Sequence, residues 1–93
     1  MKFAKAIKRC MKGARITRRD WNGQGMFVYY TPASIVPIEE WKNGSTVTAE
    51  DVLNCNIQIA GHFDMRNAQG IRIIGWVPTQ TDMTSDQWEI YGE

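Results

Sequence analysis

From Ile57 to Arg66 the chain alternates with a period of two. Ile57, Ile59, Gly61, Phe63 and Met65 fall on one side, and Gln58, Ala60, His62, Asp64 and Arg66 on the other. That period belongs to a strand with one apolar and one polar face, so the run is a sheet signature. Asn67 to Gly70 reads as a hairpin turn and Ile71 to Val77 as the partner strand. Pro78 is the stop, because proline cannot donate to a ladder.

A helix supplies the cover for such a sheet. Phe3, Ala6, Ile7, Cys10 and Met11 recur at the i, i+3, i+4, i+7 and i+8 offsets of one helical face, with lysines on the other side. Gly13 ends the helix, and Ala14 to Arg18 follows as a short strand. Asp20 to Gly25 is turn chemistry, since Asn22 followed by Gly23 readily reverses a hairpin. Met26 to Thr31 is the returning strand.

Pro32 and Pro37 predict an irregular section, with one helical turn at Ile38 to Lys42 closed by Asn43 and Gly44. A short helix begins at Thr48, whose hydroxyl caps the first turn while Asp51 reaches back, leaving Val52 and Leu53 to pack inward. Thr84 to Gln87 reads as a one-turn capping box before a last strand, Trp88 to Tyr91. The sum is an α+β fold in one domain spanning 1–93. Its N-terminal helix packs on an antiparallel sheet of about five strands, with short additional helical turns.

Ninety-three residues leave room for one modest core, and four Trp, three Tyr and three Phe are more large rings than it readily hides. Some rings should therefore meet a ligand or another subunit. The net charge of +1 gives weak attraction to nucleic acid as a polymer, although eight of the eleven Lys and Arg stand in the first nineteen residues. Two cysteines, Cys10 and Cys55, sit at no metal-ligand spacing and read as buried thiols in a reduced setting. No stretch approaches the length needed to cross a bilayer, so the expectation is a soluble cytoplasmic protein without membrane contact.

Catalytic candidates are thin. His62, beside Asp64 and Arg66, could be argued into proton transfer, but a structural or ligand-contacting histidine is the simpler reading. There is no phosphate-cradling loop, no His and Cys ligand cluster and no dinucleotide fingerprint, so neither metal nor cofactor is expected, nor an enzyme. Trp41 and Trp88 read as core. Trp21 and Trp76 differ, because each joins a strand to a turn rich in backbone donors. An indole stacked on a purine contributes on the order of 1–3 kcal/mol. Thr79, Gln80, Thr81 and Asp82 could bond a ribose or a base edge, and Asn22 with its turn amides a phosphate. Arg18, Arg19 and Arg66 are the candidate phosphate contacts, against the plainer reading of a solvated basic face.

Several segments together carry a resemblance. They are the helix closing on Lys12 and Gly13; Trp21 Asn22 Gly23 Gln24 Gly25 Met26 Phe27; Asp64 Met65 Arg66 Asn67 Ala68 Gln69 Gly70; Trp76; Gln80 Thr81 Asp82 Met83; and Asp86 Gln87 Trp88 Glu89 Ile90. Over nearly the whole chain the pattern resembles the phage anti-Thoeris sponges, small proteins that sequester cyclic ADP-ribose isomers made by bacterial TIR-domain immune enzymes. Some members also hold cyclic dinucleotides.

The resemblance implies a homotetramer, a dimer of dimers acting in the bacterial host cytoplasm, with pockets at subunit interfaces and no chemistry performed on the captured signal. It implies that Trp21 and Trp76 pack on adenine or its surroundings, with Asn22, Gln80, Thr81 and Asp82 as polar contacts; Gly23, Met26 and Thr79 complete the candidate ligand site. The segment 31–59 departs from the pattern, so Pro37, Trp41 and His62 take no role from it. Two other classes stay open on the residues alone: a protein-interaction module of phage origin and a nucleotide hydrolase.

Overall fold

The computed structural model describes residues 1–21 and 24–92. Its elements, in chain order, are helix α1 (Phe3–Met11), strands β1 (Ile16–Arg18), β2 (Phe27–Thr31) and β3 (Ser34–Pro37), and helix α2 (Ala49–Asn54). Strands β4 (Asn56–Ile59), β5 (His62–Arg66) and β6 (Arg72–Ile74), helix α3 (Gln80–Thr84) and strand β7 (Trp88–Ile90) follow. They form two compact units, Met1–Thr31 with His62–Glu93, and Pro32–Gly61.

In the first unit an antiparallel sheet runs in the order β6-β5-β2-β1-β7, with α1 against one face, the α+β arrangement the sequence predicts. Register decides which side chains share that face. Ile16 lies opposite both Val28 and Ile90, Val28 opposite Met65, and Met65 opposite Ile73. Ala6 and Cys10 of α1, fully buried, meet Ile16, Val28, Met65 and Trp88 there, with Phe3 and Ile7 packed alongside. Met11, placed by its spacing on the same stripe, stands 53% exposed at the last turn. Gly13 then takes φ 110° and donates its amide to the Cys10 carbonyl at 2.9 Å, a left-handed exit that side chains resist.

The second unit is a β3–β4 hairpin with two 3-10 turns, Ile38–Glu40 and Gly44–Thr46, and α2 between its strands. Three expectations are corrected here. The alternating run Ile57 to Arg66 is two strands of different sheets: β4 pairs with β3, whereas β5 pairs with β2 and β6. Alternation sets which way a side chain faces and carries no information about which strand lies beside it. The section after Pro32 contains a strand that ends on Pro37, tolerated because both strands of a two-stranded sheet are edges. Finally, the Thr48–Asp51 capping box forms as predicted, yet Val52 and Leu53 are 59% and 82% exposed, since a six-residue helix has no second layer to pack against in this unit.

Two further corrections concern one cysteine and one helix cap. Cys10 is buried but Cys55 is exposed, at the left-handed position (φ 61°) that terminates α2. The capping box expected at Thr84 to Gln87 instead lies five residues earlier: Thr79 and Asp82 cap α3, and Ser85 accepts from the Gln87 amide. No helix among the described residues is long and apolar enough to cross a membrane.

Candidate ligand site

Trp88 organises the region. Its ring is 1% exposed, and its indole N–H donates to the Asp82 carbonyl at 2.8 Å, so a polar tip is satisfied inside an apolar cluster. Trp21 meets it edge-on at 5.3 Å between ring centroids and 79°, and Trp76 does the same at 6.2 Å and 76°. Phe3 of α1 closes a further side at 5.6 Å. Each edge-on pair contributes about 0.5–1.5 kcal/mol beyond burial. The two outer indoles are half-buried, so both retain surface toward solvent.

Beside Trp21 is an open hollow of about 390 Å³, walled by Arg18, Arg19, Gln24, Met26 and Glu89 among others. Trp76 is brought to the same indole cluster but does not line this hollow. Asn22 and Gly23 lie outside the described residues.

The polar candidates have definite employment. Asp82, buried at the start of α3, accepts from the Thr79 amide at 2.8 Å and from Arg18 Nη1 at 2.7 Å, while the Thr79 hydroxyl accepts from the Asp82 amide. Burial alone would raise the Asp82 pKa. The Thr79 amide and the Arg18 guanidinium outweigh it and hold the carboxyl below the usual range. Arg18 also binds Asp20 through Nε and Nη2, and with two carboxylates around it its pKa is raised, chiefly by the Asp20 bond. Its charge is therefore already answered.

Arg19 is exposed and forms no ion pair among the described residues. Arg66 donates to the Gly25 carbonyl at 2.7 Å. A side chain at Gly25 would put a Cβ 2.6 Å from Arg66 Nη1, and φ there is 78°, so the turn after Trp21 depends on glycine. The Met26 carbonyl is taken by the Thr17 hydroxyl at 2.8 Å. Gln80 and Thr81 are exposed on the first turn of α3.

A model of the Thoeris anti-defense 2-like domain matches residues 1–91. The chain belongs to this family. Thoeris anti-defense 2 of Bacillus phage SP01 is similar to it, 24% identical over 90 residues that cover 97% of this chain and 93% of the relative.

In this Thoeris anti-defense 2-like domain, sequence reasoning missed one buried group, Asp64. It is 1% exposed and accepts from the Thr31 hydroxyl at 2.6 Å, His62 Nδ1 at 2.8 Å and the Gly75 amide at 2.9 Å. An ionised carboxylate only accepts, so the His62 hydrogen sits on Nδ1. Burial pushes the Asp64 pKa up, and the Thr31, Gly75 and His62 bonds overcome it, leaving the carboxyl below its ordinary value. Nothing in the alternation distinguishes Asp64 from Gln58, His62 and Arg66 on the same polar side; its partners Thr31 and Gly75 come from outside that run. No group of three or more His, Cys, Asp or Glu placed to hold a metal occurs among the described residues.

Proposed function

We propose that this anti-defense protein is a sponge, which binds a cyclic ADP-ribose isomer made by bacterial immune enzymes and holds it without altering it. The observation that carries the reading is the indole cluster: Trp21 and Trp76 pack on one buried ring, Trp88, and keep surface for a flat base. Membership of the Thoeris anti-defense 2-like family gives the biological setting. A sponge acts without turnover, so it needs tight binding, and nanomolar affinity corresponds to about 12 kcal/mol. An open hollow beside Trp21 falls short of the enclosure that such affinity asks for. Enclosure is therefore assigned to a neighbouring copy, in a homotetramer whose pockets form between subunits. Cyclic dinucleotides are a further ligand class for the same protein.

The test is direct. Purified protein is mixed with cyclic ADP-ribose isomers and cyclic dinucleotides, free ligand is removed, the protein is denatured, and the released molecules are identified. Intact cyclic ADP-ribose is expected, with retention falling in Trp21→Ala and Trp76→Ala. Altered nucleotide would instead indicate a hydrolase. Release of nothing, together with capture of a protein partner, would indicate an interaction module.

A further inference from the structure

Trp88 is fixed by its own indole N–H, which donates to the Asp82 carbonyl. Trp76 is fixed through its backbone instead. The chain leaves β6 at Ile74, and the next two amides both bond to β5: Gly75 donates to the Asp64 carboxylate at 2.9 Å, and Trp76 to the Phe63 carbonyl at 2.7 Å. Gly75 takes φ 84°, and a Cβ there would meet nothing within 4 Å. Glycine is therefore required for its backbone angle and not for space. A residue with that much freedom must be held if the one after it is to keep a single direction.

Asp64 lies opposite Ile74, and the register puts its side chain on the sheet face turned away from α1. One of its oxygens accepts from the Thr31 hydroxyl at 2.6 Å, and the other is shared by His62 Nδ1 and the Gly75 amide. At 1% exposure the carboxylate has no solvent to swing into. Donors from β2, β5 and the turn thus fix both oxygens, and through one of them the Gly75 amide. Trp76 packs on Trp88 in the cluster on the α1 side, so a buried carboxylate on one face sets the approach of an indole to the other.

We infer that Asp64 is a positioning residue for the ligand site: it locks the Gly75–Trp76 turn, so that the Trp76 indole stands in place before a ligand arrives. This rests on the reading of Trp76 as a ligand contact. A ring already in place spares the ligand the cost of ordering it. If loss of the Gly75 bond leaves the ordered form in about one molecule in ten, apparent affinity falls about tenfold.

Three variants of the full chain separate positioning from support of the fold. Asp64→Ala removes the acceptor of the Gly75 amide, and Asp64→Ser, whose side chain is too short to replace it, stands in if the alanine variant does not fold. Asp64→Asn keeps an acceptor, since its oxygen can face Gly75 and His62 while its NH₂ donates to the Thr31 hydroxyl. Thr31→Val removes a bond to the other oxygen and leaves Gly75 untouched. Each is followed by Tm, by the heteronuclear NOE of the Trp76 indole N–H without ligand, assigned from Trp76→Phe, and by retention of the cyclic ADP-ribose isomers. Asp64→Ala should lower the NOE and reduce retention about tenfold, and Asp64→Asn should restore both to within about twofold. Thr31→Val should lower Tm while leaving NOE and retention within about twofold of the parent. An unchanged NOE in Asp64→Ala or Asp64→Ser would overturn the assignment, as would a loss of retention in Thr31→Val equal to theirs. Should the parent protein retain no cyclic ADP-ribose, the sponge reading fails, whereas the indole NOE still decides whether Asp64 holds Trp76.

Discussion

Replacing Asp82 tests whether the site wall and the fold are one construction. Its carboxylate joins three elements: it caps α3 through the Thr79 amide, binds Arg18 of β1, and belongs to the residue whose carbonyl holds the Trp88 indole. Asp82→Ala leaves the Thr79 N-cap in place and removes the returning half of the α3 capping box, about 1 kcal/mol. It also breaks an ion pair whose side chains are only 9% and 7% exposed. Full loss of a buried partner costs about 3–5 kcal/mol, but Arg18 retains Asp20, so about 2 kcal/mol is the better figure here.

The sum, about 3 kcal/mol, corresponds to a fall of roughly 12–24 °C in Tm for a chain of this size. Asp82→Asn keeps an acceptor for the Thr79 amide and removes only the charge, so it should lose about two thirds of that. Thermal unfolding by circular dichroism gives the values, and a cycle with Arg18→Gln isolates the pair. A coupling of about 1–2 kcal/mol is expected. If the two changes add to within about 0.5 kcal/mol, the pair does not couple α3 to β1 and the reasoning fails.

Asp64 and Asp82 both titrate lower in the folded protein than their usual value. The stability they add is therefore complete above the unfolded pKa of about 4 and is lost as pH falls through the lower folded values. Tm should drop steeply between about pH 5 and pH 2, and Asp82→Asn should flatten that drop. Burial pushes the Cys10 thiol up to about 11, so near neutral pH a thiol reagent should modify Cys55 alone in the native protein and both cysteines after denaturation. Gly25→Ala should cost about 1–3 kcal/mol from the left-handed backbone and displace Arg66, seen as a lowered Tm and reduced ligand retention at Trp21. Thr48→Ala should cost about 1 kcal/mol of local stability, visible as faster amide exchange confined to α2.

Much of the frame was legible in local pattern. The stripe on α1, its glycine exit, the Thr48 cap and the existence of the strands that make up the five-stranded sheet follow from rules that act within a few residues. The singling out of Trp21 and Trp76 was local too, resting on a large ring next to turn residues. That reasoning assigned Trp88 to the core correctly, but gave no hint that it stands between the other two.

What tertiary structure alone decided is partnership. A strand's period fixes the face on which each side chain lies, yet the division of 57–66 between two sheets depends on β2 and β3, more than twenty residues earlier in the chain. Asp64 and Asp82 look like ordinary exposed acids in sequence. They became buried because Thr31, Gly75, Thr79 and Arg18 were brought within hydrogen-bonding reach, and the desolvation of a carboxylate is tolerated only where such partners converge. Local periodicity thus wrote the elements. The convergence of distant donors and rings determined which residues are free to meet a ligand.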